Sequence, residues 1–433
     1  MNSIYSLFKS CDGISIDSRT INNNSLFFAL TGENHDGHDY INDAFKKGAS
    51  YAIIDNPKFN TDSRCILVDN TLITLQNLAR LHRKNLTETT VIAIVGSNGK
   101  TTTKELTAAI LRSHYKIEAT DGNLNNHIGL PLTILKITTD CQFAVIEMGA
   151  NHIKEHQLLC EIAQPQFGII TNCGRDHLEG YGSLNGVIQS NNELFEYLAL
   201  TKGTAFLNHD DATLVSLSKA LPTIRYTQTT DKSNTIIASG QCIQQYPTIS
   251  LSLTHHQLKK TFSININSHL LGSFQSTNIL ASACIGLYFN VPMVKIKSAI
   301  ENYVPVNNRS QMISWKDNTI LLDAYNANPS SMSEMICYFS NYPADQKVII
   351  LGDMFELGPT SEAEHQKIIE LIKEKNFDEV ILVGKLFSRY KDMIPCHHFD
   401  DVTMLKQFLN KNTYRNHYFL VKGSRGMALE NAF

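Results

Sequence analysis

The stretch Val91-Ile92-Ala93-Ile94-Val95-Gly96-Ser97-Asn98-Gly99-Lys100-Thr101-Thr102-Thr103-Lys104-Glu105-Leu106 decides how this chain is read. Residues 91–95 have the length and β-branching of a buried parallel strand, and the segment from Lys104 onward has helical spacing and good helix formers. A glycine turn between the two lets backbone N–H groups come close to phosphate. The helix N-terminus adds partial positive charge, Lys100 can reach the β- and γ-phosphates, and Thr101 can ligate Mg²⁺. Gly96, Ser97, Asn98, Gly99, Lys100, Thr101 and Thr102 are therefore expected to cradle a nucleoside triphosphate. A general phosphate loop carries a further glycine near positions 94–95, where this chain has Ile94 and Val95; the spacing is a variant one.

Working outward, 433 residues are enough for about three domains at ~150 residues each. A hydrophobic content of 42% with 18% charged residues is that of a globular protein with ample core. The net charge of −3 gives no electrostatic reason to expect nucleic acid, and no Lys/Arg block suggests a membrane surface. Nine cysteines are scattered singly without a CxxC, indicating neither a zinc site nor a disulfide framework. The first ten residues lack a basic region followed by an apolar stretch, and the most apolar segment, 279–291, is short of the ~20 residues that cross a bilayer. A cytoplasmic monomer without membrane insertion is expected.

Strand-like runs at 26–30 and 51–54 with helical runs at 40–48 and 72–84 predict a small α/β unit over 1–85, ending in a linker at 85–87. From 86 to 306 strands at 91–95, 143–147 and 167–171 alternate with helices, the pattern of a doubly wound parallel sheet whose ligands sit at the strand carboxyl ends. Period-two alternation over 203–270 predicts an antiparallel flap, and a helix at 277–289 is expected to close this unit. The α/β pattern restarts over 307–433, with strands at 320–322, 348–351, 379–383 and 418–421. Hinges are expected near 86 and 307.

Two further segments carry chemistry. Glu147 ends an apolar strand on a carboxylate at the phosphate end of the sheet, where Mg²⁺ needs a hard oxygen ligand. Asn172-Cys173-Gly174-Arg175-Asp176-His177-Leu178-Glu179-Gly180 packs Asp, His and Glu into a glycine-bounded loop after the next strand, and a neutral His177 can ligate a metal oriented by a carboxylate.

Glu147-Met148-Gly149-Ala150-Asn151-His152, the 172–183 loop, Tyr303-x-Pro305-x-Asn307-Asn308-Arg309-Ser310-Gln311, Asp323-Ala324-Tyr325-Asn326-Ala327-Asn328-Pro329, Gly352-Asp353-Met354-Phe355-Glu356-Leu357-Gly358 and Lys422-Gly423-Ser424-Arg425-Gly426 occur in that order. Together with the phosphate loop they resemble the motifs of the Mur ligase family over essentially the whole chain. The 352–358 motif and the pattern Asp17-Ser18-Arg19…Asp36-Gly37-His38 resemble most the branch that joins D-alanyl-D-alanine to UDP-N-acetylmuramoyl-tripeptide. The resemblance implies an N-terminal UDP-sugar domain, a central ATPase domain and a C-terminal Rossmann-like domain that brings the incoming dipeptide. It implies ATP and Mg²⁺, an acyl-phosphate intermediate, and a place in peptidoglycan precursor synthesis. Lys100 would clamp phosphates, Thr101 with Glu147 would hold one Mg²⁺, and His177 a second. Asn126, Asn278, Arg309, Asp323 and Asn328 match positions around the nucleotide and hinge. Ser18, Arg19, Asp36, Gly37 and His38 match the uridine-nucleotide site, and by the same resemblance Asp353 and Glu356 would face the dipeptide.

There are departures. The family carries a carbamylated lysine in a Gly-Val-x-x-x-Lys-x-Glu-Leu-Phe segment, and this chain reads Gly186-Val187-Ile188-Gln189-Ser190-Asn191-Asn192-Glu193-Leu194-Phe195. Asn191 stands at the lysine's place. It would hold metal through its amide, leave the place to a solvent anion, or weaken the second site; the last option gives the alternative of a catalytically impaired paralogue that only binds nucleotide or UDP-sugar. Phe274-Gln275 also stands before Asn278 where the family has His-Asn or Tyr-Asn.

Overall fold

The computed structural model describes residues 1–229, 236–257, 260–306 and 308–433. Asn307, part of the third motif and of the expected second hinge, lies outside them. Among the described residues the strands form three sheets, each within one stretch of the chain.

The first sheet has four parallel strands in chain order: Gly13–Ser15, Ser25–Phe28, Ala49–Ile54 and Cys65–Leu67. The helix Thr71–Asn85 follows, its N-terminus capped by Asn70, which accepts the Ile73 N–H at 2.8 Å.

The second sheet centres on Thr90–Val95, flanked by Phe143–Glu147 with Ile117–Ala119 beyond it, and by Phe167–Ile170 on the other side. The chain thus leaves Thr90–Val95 for one side and later crosses to the other. That reversal creates the crevice where an open α/β sheet binds ligands, and the phosphate loop opens from the strand at that point. The continuous apolar run is explained by burial on both faces. Val91, Ala93 and Val95 join one core, and Ile92 and Ile94 join another with Leu106 and Ile110 of the helix Lys100–Arg112.

The expected 203–270 flap is antiparallel only in its second part. Thr204–Asn208 and Thr223–Thr227 extend the parallel sheet, joined by the helix Ala212–Leu217, which supplies the crossover a parallel pair requires. Ile236–Gln244, Ser250–Gln257 and Lys260–Asn267 then pair antiparallel. Two helices, Gln275–Tyr288 and Met293–Glu301, follow rather than one; Pro292, at the N-cap of the second, marks the break.

The third sheet runs Gln311–Trp315, Asn318–Asp323, Tyr418–Lys422, Lys347–Gly352, Glu379–Val383, His397–Phe399, parallel except for its first pair. The chain is therefore a three-unit α/β protein.

The expected linker at 85–87 is packed. Leu86 is buried in the core shared by the first unit and the central sheet, and the buried Arg83 donates to the carbonyls of Leu86 at 2.8 Å and Ala163 at 2.9 Å. An arginine tied to two carbonyls across the junction does not favour bending there.

Candidate functional site

The phosphate loop is held open by two glycines in the left-handed region, Gly96 at φ +131° and Gly99 at φ +79°. A Cβ on Gly96 would come within 2.1 Å of Thr171 Oγ1, so no side chain fits there. The loop is braced from the next strand: Asn172 Oδ1 accepts the Asn98 N–H at 3.0 Å while its Nδ2 donates to the Asn98 carbonyl at 3.0 Å. Lys100 Nζ donates to the carbonyls of Gly96 and Ser97, inside the loop it belongs to.

Beside it lies a cavity of about 680 Å³. Ser97 to Thr102, Asn126, Glu147, His177, Asn278, Arg309, Asp323, Asn328 and Glu356 all line it, although they span more than half the chain. Glu147 is 2% exposed. Its Oε1 accepts from Asn125 Nδ2 at 2.8 Å, whereas Oε2 is buried and has no hydrogen-bond partner among the described residues. A buried carboxylate oxygen without a donor is costly, and a cation satisfies it. Thr101 shares that wall. Among the described residues no three His, Cys, Asp or Glu side chains cluster to hold a metal by themselves. The donor set present fits Mg²⁺, which binds through one or two carboxylates and completes its shell with phosphate and water oxygens.

His177 sits at φ +46° as the loop turns into the short helix Leu178–Tyr181. Its Nδ1 is 2.7 Å from Glu356 Oε2 in the third unit, and this hydrogen bond holds the Glu356 carboxyl below the usual range. A neutral imidazole donating from Nδ1 presents Nε2 as an acceptor. The preceding Asp176 is buried and accepts from Ser97 Oγ, which in turn accepts the Gly174 N–H at 2.8 Å. The loop carrying His177 is thereby fastened to the phosphate loop.

The opposite wall comes from the third unit. The Arg309 guanidinium stacks on Tyr325 at 3.5 Å from the ring centroid, a contact that orients the cation without neutralising it. Asp323 accepts from Ser310 N at 3.0 Å and from Lys422 Nζ at 2.6 Å. Its charge is met by the buried Lys422, so it organises the wall rather than offering a free carboxylate. Asn328 caps the helix Pro329–Ser340 through Ser331 N at 2.8 Å. Asn278 takes a hydrogen bond from Thr103 Oγ1 at 3.3 Å and donates to Gln275 at 2.8 Å, which gives the departing Gln275 a definite task. Asn126 accepts the N–H groups of Ile128 and Gly129 at 3.1 and 2.9 Å.

Other expected residues lie apart. Ser18, Arg19, Asp36, Gly37 and His38 do not line this cavity. Arg19 is extended into solvent with Nη2 on Asp17 at 2.8 Å. The His38 ring is buried, its Nδ1 2.6 Å from Asp36 and its Nε2 accepting the Asp55 N–H at 3.2 Å. It shapes its turn from within and has no ring nitrogen left for a ligand. Asp353 also lies apart from this cavity: it is buried and accepts the N–H groups of Leu386 at 2.9 Å and Phe387 at 3.0 Å. It caps a turn, while Glu356 of the same motif reaches the cavity. Asn191 does not line the cavity either; it is buried, with Nδ2 3.9 Å from Cys173 Sγ.

Sequence reasoning missed Asn125, Tyr325 and Lys422 as individual contributors. Tyr325 and Lys422 lie inside quoted motifs, so a signal was present. Asn125 sits beside Asn126, and one-dimensional spacing cannot say which of two adjacent amides points at Glu147.

Comparison with known proteins agrees with this geometry. Residues 10–111 match the Mur ligase family catalytic domain, 94–286 the Mur ligase middle domain, and 308–425 the Mur ligase glutamate ligase domain. The UDP-N-acetylmuramoyl-tripeptide–D-alanyl-D-alanine ligase of Bacillus subtilis is 32% identical, with 96% of this chain and 91% of that protein covered. The protein of the same name from Haemophilus influenzae is 34% identical over 96% of this chain and 92% of its own length. A crystal structure of MurF from Acinetobacter baumannii superposes with a TM-score of 0.85 at 25% identity, covering 100% of this chain and 97% of that one. With all three units matched in order, and relatives above 30% identity over nearly their whole length, the chain belongs to the Mur ligase family.

Proposed function

We propose that the protein is an ATP-dependent ligase that joins D-alanyl-D-alanine to UDP-N-acetylmuramoyl-tripeptide in peptidoglycan precursor synthesis. The observation that carries this reading is one cavity bounded by the phosphate loop and Glu147 on one side and by Arg309, Asn328 and Glu356 on the other. In this reading residues 1–85 hold the UDP-sugar around Ser18, Arg19 and the 36–38 turn, 86–306 hold ATP, and 307–433 bring the dipeptide. Among the described residues no helix is long and apolar enough to cross a membrane, which supports a cytoplasmic enzyme acting on soluble precursors.

The γ-phosphoryl group of ATP passes to the tripeptide carboxylate, giving an acyl phosphate and ADP. The dipeptide amine then attacks the acyl carbon, and phosphate leaves as the amide forms. A carboxylate resists amines, whereas an acyl phosphate carries a good leaving group. The protein's task is positioning and charge neutralisation. Lys100 leaves its own loop carbonyls to clamp the β- and γ-phosphates. Arg309, held flat on Tyr325, faces the cavity as a phosphate-binding cation. Thr101 and Glu147 would hold one Mg²⁺, and His177, oriented by Glu356, would contribute to a second. Bound there, Mg²⁺ would neutralise phosphate charge and polarise the phosphoryl oxygens.

The impaired-paralogue alternative is not favoured, because Lys100, Glu147, His177 and Arg309 all reach the same cavity. Phosphate release is the test, with ATP, Mg²⁺, UDP-N-acetylmuramoyl-tripeptide and D-alanyl-D-alanine present and each omitted in turn. Turnover requiring all of them supports the ligase. Release that ignores the dipeptide, or none at all, refutes it.

A further inference from the structure

Three consecutive side chains of the 172–179 loop go to three destinations. Asp176 holds Ser97 of the phosphate loop and His177 meets Glu356. Arg175 crosses to the third unit twice. Its backbone N–H donates to Ser330 Oγ at 3.1 Å, in the first turn of the helix Pro329–Ser340, and its Nη1 is 2.5 Å from Glu364 Oε1. Glu364 lies on the helix Ser361–Lys373 and is only 5% exposed, with Lys367 Nζ as its other partner at 2.7 Å. The adjacent His365 is buried; its Nε2 accepts the Met354 N–H at 3.1 Å and its Nδ1 meets the Ser361 carbonyl at 2.7 Å. The helix gripped by Arg175 is thus the one that fixes the loop bearing Glu356.

We propose that Arg175 is a positioning residue for the ligation: through Glu364 its guanidinium fixes the third unit against the phosphate-loop brace, beside a backbone contact to Ser330 that any residue at this position except proline would keep. The proposal rests on the ligase reading. No part of the nucleotide cradle is built from Arg175, which is not among the residues lining the cavity. Its removal therefore acts on the step that needs both walls and spares nucleotide binding. Leaving a buried carboxylate without its closest cation makes docking unfavourable.

The test uses the full chain with Arg175→Ala, Arg175→Lys, Glu364→Gln and the charge-swapped Arg175→Glu/Glu364→Arg. The KM for D-alanyl-D-alanine is expected to rise about 10-fold in Arg175→Ala while MgADP affinity stays within about 2-fold, and the charge swap should bring KM back to within about 3-fold of the parent. Glu364→Gln, which keeps shape and fold, should move KM in the same direction by less. Small-angle scattering with MgADP reads the docking without turnover, and Arg175→Ala should have the larger radius of gyration. An unmoved KM with unchanged scattering overturns the proposal, as does a parallel loss of MgADP affinity in Arg175→Ala and Glu364→Gln. If the parent protein shows no dipeptide-dependent turnover, the ligase reading fails, and the scattering comparison still decides whether Arg175 anchors the unit.

Discussion

Asn98, in the phosphate loop, accepts a hydrogen bond through Oδ1 from Asn328 Nδ2 at 2.9 Å, 230 residues further along the chain. The same Asn328 uses its Oδ1 to cap the helix Pro329–Ser340. One amide thus serves a fold with its oxygen and an inter-unit contact with its nitrogen. Substitutions can separate the two. Asn328→Asp keeps the cap oxygen and loses the donor, so turnover should fall with little change in melting temperature. Asn328→Ala loses both, and stability should drop by about 1 kcal/mol as well. Thermal unfolding beside steady-state kinetics distinguishes these outcomes.

Lys100→Ala should leave the fold intact, because among the described residues the side chain bonds to carbonyls of its own loop. Turnover should fall by about 10²-fold or more once the phosphate clamp is gone. Circular dichroism with a phosphate-release assay checks both halves. A variant retaining parental rate would remove Lys100 from the chemistry.

Glu147→Gln keeps the volume and the acceptor for Asn125 but replaces the unpartnered carboxylate oxygen. The Mg²⁺ concentration for half-maximal turnover should rise about 10-fold, following the loss of one anionic ligand. Titrating Mg²⁺ at saturating ATP measures this, and an unchanged midpoint would place the metal elsewhere.

His156 is buried against Ser190, with its Nδ1 3.0 Å from the Ser190 carbonyl, and burial pushes its imidazole down to about 4. The unfolded imidazole protonates near 6.5, so between about 6.5 and about 4 the unfolded chain takes up a proton that the folded one refuses. Stability from this group is full above 6.5 and declines as pH falls through that window, by about 1.4 kcal/mol per unit at most. Urea unfolding at pH 7.5 and pH 5 should show a smaller acid loss for His156→Gln than for the parent.

Asn191 cannot be carbamylated, so turnover should be indifferent to CO₂ depletion and to added bicarbonate. Assays in degassed and bicarbonate-supplemented buffer test this directly. A dependence on bicarbonate would show that a solvent anion or another amine takes that place.

Where residues act locally, the sequence was legible. Residues 91–95 had to be a doubly buried strand, and Gly96 and Gly99 had to relieve a loop no side chain could enter. The α/β units and most of the cavity lining followed from motifs at strand ends. What the sequence did not show depended on the three-dimensional path of the chain. Asp353 and His38 are polar residues in motif positions; Asp353 accepts the backbone N–H groups of Leu386 and Phe387, and His38 divides its ring between the Asp36 carboxylate and the Asp55 N–H, contacts set by the three-dimensional path of 384–387 and of residue 55. The strands at 204–208 and 223–227 alternate like an antiparallel flap but are joined by a helix too short to stand out against its surroundings. Leu86 looked like a linker because its neighbours are polar, and it is buried in the core that the first unit and the central sheet share.

The Lys422–Asp323 pair has an experimental use. An amine that is 1% exposed and bonded to both a carboxylate and the Asn326 carbonyl is shielded from acylating reagents while the third unit is intact. Its modification over time would serve as a clock for the local opening of that unit, read by mass spectrometry from a single peptide without any assay of turnover.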